Sequence, residues 1–205
     1  MQMRRSGAAV LFLAFFSVLT GPASAAEALF PFEEPVTHLW GYRNERGTVV
    51  IQPQFSVAER FSDKGIAAVA DGYSWKIINR KGKTIVQPYL VDNSPDPFRQ
   101  GLARFRETGK VGFFDEHGKV VIPPQFAFAL PFSEDRAAFC QGCLERPEGE
   151  HHVVEGGLWG FIDRKGRIVI TPIYDKAESF QDRKARVMRN GHWIVIDRQG
   201  HWIDQ

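Results

Sequence analysis

Two cysteines and two histidines stand close together in a sequence that otherwise spends its polar residues on turns. Cys140-Gln141-Gly142-Cys143 is followed by Leu144-Glu145-Arg146-Pro147-Glu148-Gly149-Glu150-His151-His152. These types suit three chemistries. Two cysteines with no other partners form a local disulfide in an oxidising compartment, and that is the expected state of Cys140 and Cys143. The loop it closes is short, so its stabilisation is modest. A metal site from Cys140, Cys143, His151 and His152 has suitable ligands, but adjacent histidines lack the three to five intervening residues usual for zinc. A redox-active Cys-x-x-Cys lacks the strand-then-helix setting that lowers a thiol pKa, and free thiols are the remaining state.

The rest of the chain shows no catalytic constellation. No nucleophile elbow, no phosphate-cradling glycine loop and no paired carboxylates in a recognisable context occur. No enzyme activity, no catalytic residue, no metal and no cofactor is expected. Candidate contact residues are basic side chains at turn tips, Arg80-Lys81, Arg164-Lys165 and Arg198, which would line one edge if units stack in register. Trp202 lies outside the register of the other tryptophans and is a candidate exposed contact. The Asx residues Asn44, Asn79, Asp115, Asp163 and Asp197 are accounted for by turn geometry rather than calcium binding.

These residues are positioned by a repeat. Glycines 47, 82, 118, 166 and 200 stand 35, 36, 48 and 34 residues apart. Seven positions before them come Trp40, Trp75, Val111, Trp159 and Trp193, and three before come the Asx residues. Six after come Pro53, Pro88, Pro124 and Pro172. The long interval holds the Cys140–His152 insertion. In Leu158-Trp159-Gly160-Phe161-Ile162 the aromatics fall two apart, as on one face of a strand. Asp163-Arg164-Lys165-Gly166 is a tight turn, Arg167-Ile168-Val169-Ile170 a second strand, and Pro172 ends it. A third strand is expected at Lys184–Met188, with counterparts at Gly65–Val69, Gly101–Phe105 and Ala137–Phe139. At a fixed strand position in stacking units the repeat tryptophans should be core.

Leu39-Trp40-Gly41-Tyr42 and Leu158-Trp159-Gly160-Phe161-Ile162-Asp163, with the Gly-Arg-Ile-Val-Ile-Thr-Pro that follows, resemble the bacterial WG repeat from about residue 39 to the end. Trp75-Lys76, Val111-Gly112 and Trp193-Ile194 depart from its motif. The resemblance implies a β-repeat array, usually with no assigned enzyme activity, and names no ligand. The fold expected is all-β, with tandem hairpin or three-stranded repeats of about 35 residues stacked as an open solenoid-like array. Repeats fall at about 39–72, 73–109, 110–156, 157–190 and a partial 191–205, after a lead segment 26–38. A small β-propeller is the alternative, in which the truncated last copy pairs with the segment around Ala28 to Val36; otherwise that copy is a cap.

Residues 1–25 read as a secretory signal peptide: basic Arg4-Arg5, a short apolar run and the small residues Ala23-Ser24-Ala25. Cleavage there would leave 180 of the 205 residues with 24 basic and 24 acidic side chains. A neutral chain is not expected to bind nucleic acid, and no integral membrane span is expected after cleavage. An exported protein, periplasmic or extracellular, that holds a protein partner is therefore the leading expectation. A cell-wall glycan binder is the second, and an enzyme or metal protein centred on the insertion the last.

Overall fold

The computed structural model describes residues 27–148 and 151–203. The expected signal peptide lies outside them. Five small antiparallel sheets follow one another along the chain. The first holds Leu29–Glu33, Trp40–Asn44 and Val49–Phe55, and the second Val57–Ala58, Ile66–Asp71, Ser74–Asn79 and Thr84–Val86. The third holds Leu102–Glu107, Lys110–Asp115 and Val120–Phe126. The fourth contains Phe128–Ala129, Ala137–Gln141, Leu158–Ile162 and Ile168–Tyr174, and the fifth Lys176–Ala177, Lys184–Arg189, His192–Asp197 and Trp202–Ile203. Each is an up-and-down meander.

Three of these sheets have four strands where the repeat pattern predicts three. The added strand is the pair of residues after the proline bend, such as Val57–Ala58, and a two-residue strand is too short to show alternation. The expected third strands are present, but they pair forward: Leu102–Glu107 lies against Lys110–Asp115, the aromatic strand of the next repeat. The lead segment does the same, with Leu29–Glu33 paired to Trp40–Asn44 rather than to the last copy.

Among the described residues the core clusters each join consecutive sheets. Tyr42, Phe55, Val69 and Ile78 join the first to the second, and Ile66, Ile77, Phe105 and Phe114 join the second to the third. Val111, Phe113, Phe139 and Ile162 join the third to the fourth, and Trp159, Phe161, Val187 and Ile196 the fourth to the fifth. Among the described residues no core cluster joins the first sheet to the fifth, so the array is open. The tryptophan positions divide accordingly. Trp159 is buried and Trp40 and Trp75 are half-buried, but Trp193, in the last described sheet, is exposed, and Arg186 covers its ring at 4.8 Å.

The turn reading holds in detail. In all five turns the Asx Oδ1 accepts from the backbone N–H two and four residues ahead, at 2.8 to 3.1 Å. The closing glycines have φ between 75° and 88°. Four of them, Gly82, Gly118, Gly166 and Gly200, also dock their unit on the one before: a Cβ on Gly82 would lie 3.2 Å from Ile51, and one on Gly166 would lie 2.9 Å from Ile122.

The glycine after tryptophan has a different cause. Opposite Gly41 the neighbouring strand bulges, because Trp40 pairs with Phe55 while Tyr42 pairs with Ile51. A Cβ on Gly41 would stand 2.5 Å from the Ile51 carbonyl oxygen and 2.7 Å from the Pro53 nitrogen. Gly112 and Gly160 meet the same bulge. At Lys76 the partner strand ends at Val86 and the chain leaves for the next sheet, where Pro88 bridges Phe105. At Ile194 the short final strand pairs only with Val195 and Ile196. Among the described residues neither Lys76 nor Ile194 has a paired residue on that side, and a side chain fits.

Gly160→Ala should therefore cost about 1–3 kcal/mol in urea unfolding, as overpacking against backbone does, while Lys76→Ala should change stability by less than about 0.5 kcal/mol. A second outcome concerns acid. Burial raises the Asp163 pKa, but hydrogen bonds from the Arg167 side chain and from the Arg167 and Lys165 backbone outweigh it, and the net shift is downward. The carboxylate's contribution is then present above its unfolded value and is lost as pH falls through the lower folded value. Asp163→Asn keeps the turn acceptor and should flatten the loss of stability below about pH 4; a pH series of melting curves measures it.

Candidate functional site

The insertion departs furthest from the repeat. In the second, third and fifth sheets the equivalent hairpin closes in two residues: Gly72-Tyr73, Thr108-Gly109 and Asn190-Gly191. In the fourth sheet Gln141 pairs with Leu158, and the residues between them form a separate hairpin, Leu144–Glu148 against His151–Glu155. Cys140 and Cys143 are disulfide-bonded at its foot, with Cα atoms 5.9 Å apart. The pairing of Glu148 with His151 puts the histidine backbone at the far end, roughly 16 Å along the strand from Cys143 at about 3.3 Å per residue. The side chains at 147, 148, 151 and 152 lie outside the described residues. With both sulfurs in the disulfide, no thiolate remains for a metal.

This hairpin reaches back over the third sheet. Glu145 accepts a 2.6 Å hydrogen bond from the Tyr89 hydroxyl and pairs with Arg106. The Tyr89 ring lies under two guanidinium groups, Arg104 at 4.3 Å and Arg106 at 5.1 Å. Burial, then the hydrogen bond to Glu145, pushes the Tyr89 phenol far above its usual pKa, so it stays a donor. Behind it Arg104 holds Asp96 through two bonds of 2.8 and 2.9 Å, with side chains only 6% and 2% exposed, and donates to the Ala129 carbonyl. Asp96 follows a small hairpin, Leu90–Val91 with Ser94–Pro95, whose Asn93 carbonyl accepts from the Trp75 indole N–H at 2.9 Å. Together these groups enclose a cleft of about 280 Å³ walled by Tyr73, Trp75, Tyr89, Leu90, Arg106 and Glu145.

None of those wall residues is among the contact residues expected from sequence. One signal pointed there: Pro88 and Phe98 are ten apart, where Pro53–Phe61, Pro124–Phe132 and Pro172–Phe180 are eight, and the two extra residues make the small hairpin. The wider spacing moves Phe98 onto Phe114, at 5.3 Å, whereas Phe61, Phe132 and Phe180 stack on Tyr42, Phe113 and Phe161. A second hollow of about 560 Å³ opens there between Ile66, Ile77, Phe98 and Phe114.

The expected contact residues gather at the opposite end of the sheets, by the Asx turns. Lys81 and Lys165 are exposed; Arg80, Arg164 and Arg198 are half-buried. Arg80 lies over Phe61 at 5.7 Å, and Asp135 sits 3.9 Å from Arg164 and 3.7 Å from Arg198, so one carboxylate is shared between two of the basic groups. Trp202, 69% exposed, occupies the position two after the turn glycine. Its equivalents are Val49, Thr84, Val120 and Ile168, all exposed on the edge strands of their sheets. An apolar row thus runs the length of the array, interrupted once by Thr84.

Stacked antiparallel sheets of one repeat length, joined only to their neighbours, define a β-repeat array. The profile of the WG containing repeat matches residues 40–75, 77–110, 112–142 and 159–193, and the chain belongs to that family. Comparison with curated proteins finds no match. Among the described residues no helix is long and apolar enough to cross a membrane.

The disulfide closes a loop so short that Cys143→Ser should cost no more than about 2 kcal/mol. Its effect should be local: faster protease cleavage between residues 142 and 157, read by mass spectrometry, with the cooperative melt of the sheets preserved.

Proposed function

We propose that this protein is an exported, non-catalytic β-repeat module that holds a protein partner along its Asx-turn edge. One observation carries the reading: the row Val49, Val120, Ile168 and Trp202, apolar side chains between 38% and 69% exposed at one repeated position, on the edge strands of their sheets. Such a row offers a partner both apolar contact and main-chain hydrogen bonding across several units. Lys81 and Lys165 flank it, which favours a partner segment with carboxylates beside its apolar residues. The Cys140–Cys143 disulfide and the signal-like residues 1–25 support export.

The test has two arms. Amino-terminal sequencing of protein recovered from the cell envelope or medium should begin at Ala26. In-cell cross-linking should capture a defined protein with the intact chain, and Val120→Lys with Ile168→Lys and Trp202→Lys should lower that capture about tenfold without altering the melt. Equal capture by the triple variant would exclude the row as the contact surface.

A further inference from the structure

We propose that the cleft between the inserted hairpin and the second and third sheets binds a neutral saccharide unit. The inference stands apart from the partner surface, which lies at the other end of the sheets.

Tyr73 is the first ground. It is 101% exposed, at the second position of a two-residue turn where the equivalent turns end in Gly109 and Gly191. Gly72, with φ of 60°, already supplies the geometry that this turn needs. A fully exposed tyrosine there packs against nothing, and the fold gains nothing from it. Beside it stand Trp75 and Tyr89, the latter fixed by Arg104, Arg106 and Glu145. Rings that border a hollow match the C–H face of a pyranose, while the sugar's rim of hydroxyls calls for planar polar groups at the side.

Such groups are present. The Arg106 Nε is buried with no hydrogen-bond partner among the described residues, and Ser74 and Gln87 add a hydroxyl and an amide to the cleft lining. A buried donor without an acceptor is costly unless a ligand or water satisfies it. Charge then selects the ligand. Arg106 and Glu145 neutralise each other, so the wall attracts neither a phosphate nor a cation strongly. The cleft volume of about 280 Å³ is at the small end for ligand sites, which suits a sugar unit better than a length of peptide. The walls are also pre-set, because the disulfide anchors the hairpin foot and Asp96 locks Arg104 from behind, so little ordering remains on binding.

The experiment titrates the mature chain with neutral tetrasaccharides, chitotetraose, maltotetraose and cellotetraose, by calorimetry and tryptophan fluorescence. At least one should bind, Tyr73→Ala should weaken it about tenfold with an unchanged melt, and Trp202→Lys should leave it intact. No heat from any of the three overturns the proposal. Affinity that survives Tyr73→Ala, or tighter binding of an acidic tetragalacturonate than of every neutral sugar, overturns it equally.

Discussion

No sheet in this chain can bury its apolar residues alone. Each is three or four strands wide with large side chains on both faces, and an isolated meander of that size exposes too much of what it must hide. Burial comes from the neighbour. The contact that fixes one unit on the next is narrow: a turn glycine from the later unit set against an isoleucine from the earlier one, Gly82 on Ile51, Gly118 on Ile85, Gly166 on Ile122 and Gly200 on Ile170. The same glycine closes the Asx turn by taking a positive φ, so local turn chemistry and inter-unit docking rest on one residue. Gly47, in the first described sheet, meets nothing within 4 Å.

Much of this was legible in the residues because the repeat multiplies each signal. Alternating aromatics, Asx turns and prolines at fixed offsets define the strands and their order. What the spacing hid was pairing. Nothing in Leu102–Glu107 says that it will join the following aromatic strand rather than the preceding one, since alternation reports a face and not a partner. The Trp-Gly motif was also half legible. Its departures at Lys76 and Ile194 look like loose repetition in the chain, yet they coincide with the two places where, among the described residues, the following strand pairs with no residue at that position. The glycine answers to backbone on the adjacent strand, and only the three-dimensional register reveals that.

The site divides similarly. The insertion stood out through a long interval and two cysteines, and its disulfide followed from composition. The groups it contacts did not. Tyr89, Arg104 and Arg106 come from other repeats, and Glu145 meets Tyr89 across 56 residues of chain. Long-range polar contacts carry no periodicity. In the first and last described sheets a cation covers one ring each, Arg43 over Phe32 and Arg186 over Trp193.

Forward pairing has an implication for how such a chain grows. The stretch that recurs in the sequence and the sheet that folds are out of phase, each sheet being stitched from the tail of one repeat and the head of the next. A tandem duplication of one period therefore yields a complete extra sheet wherever in the period its breakpoints fall, because whichever strands it severs are rejoined to equivalent ones. Lengthening this architecture is tolerant of where the gene breaks; shortening it from either terminus is not, since a cut at a motif boundary strands half a sheet.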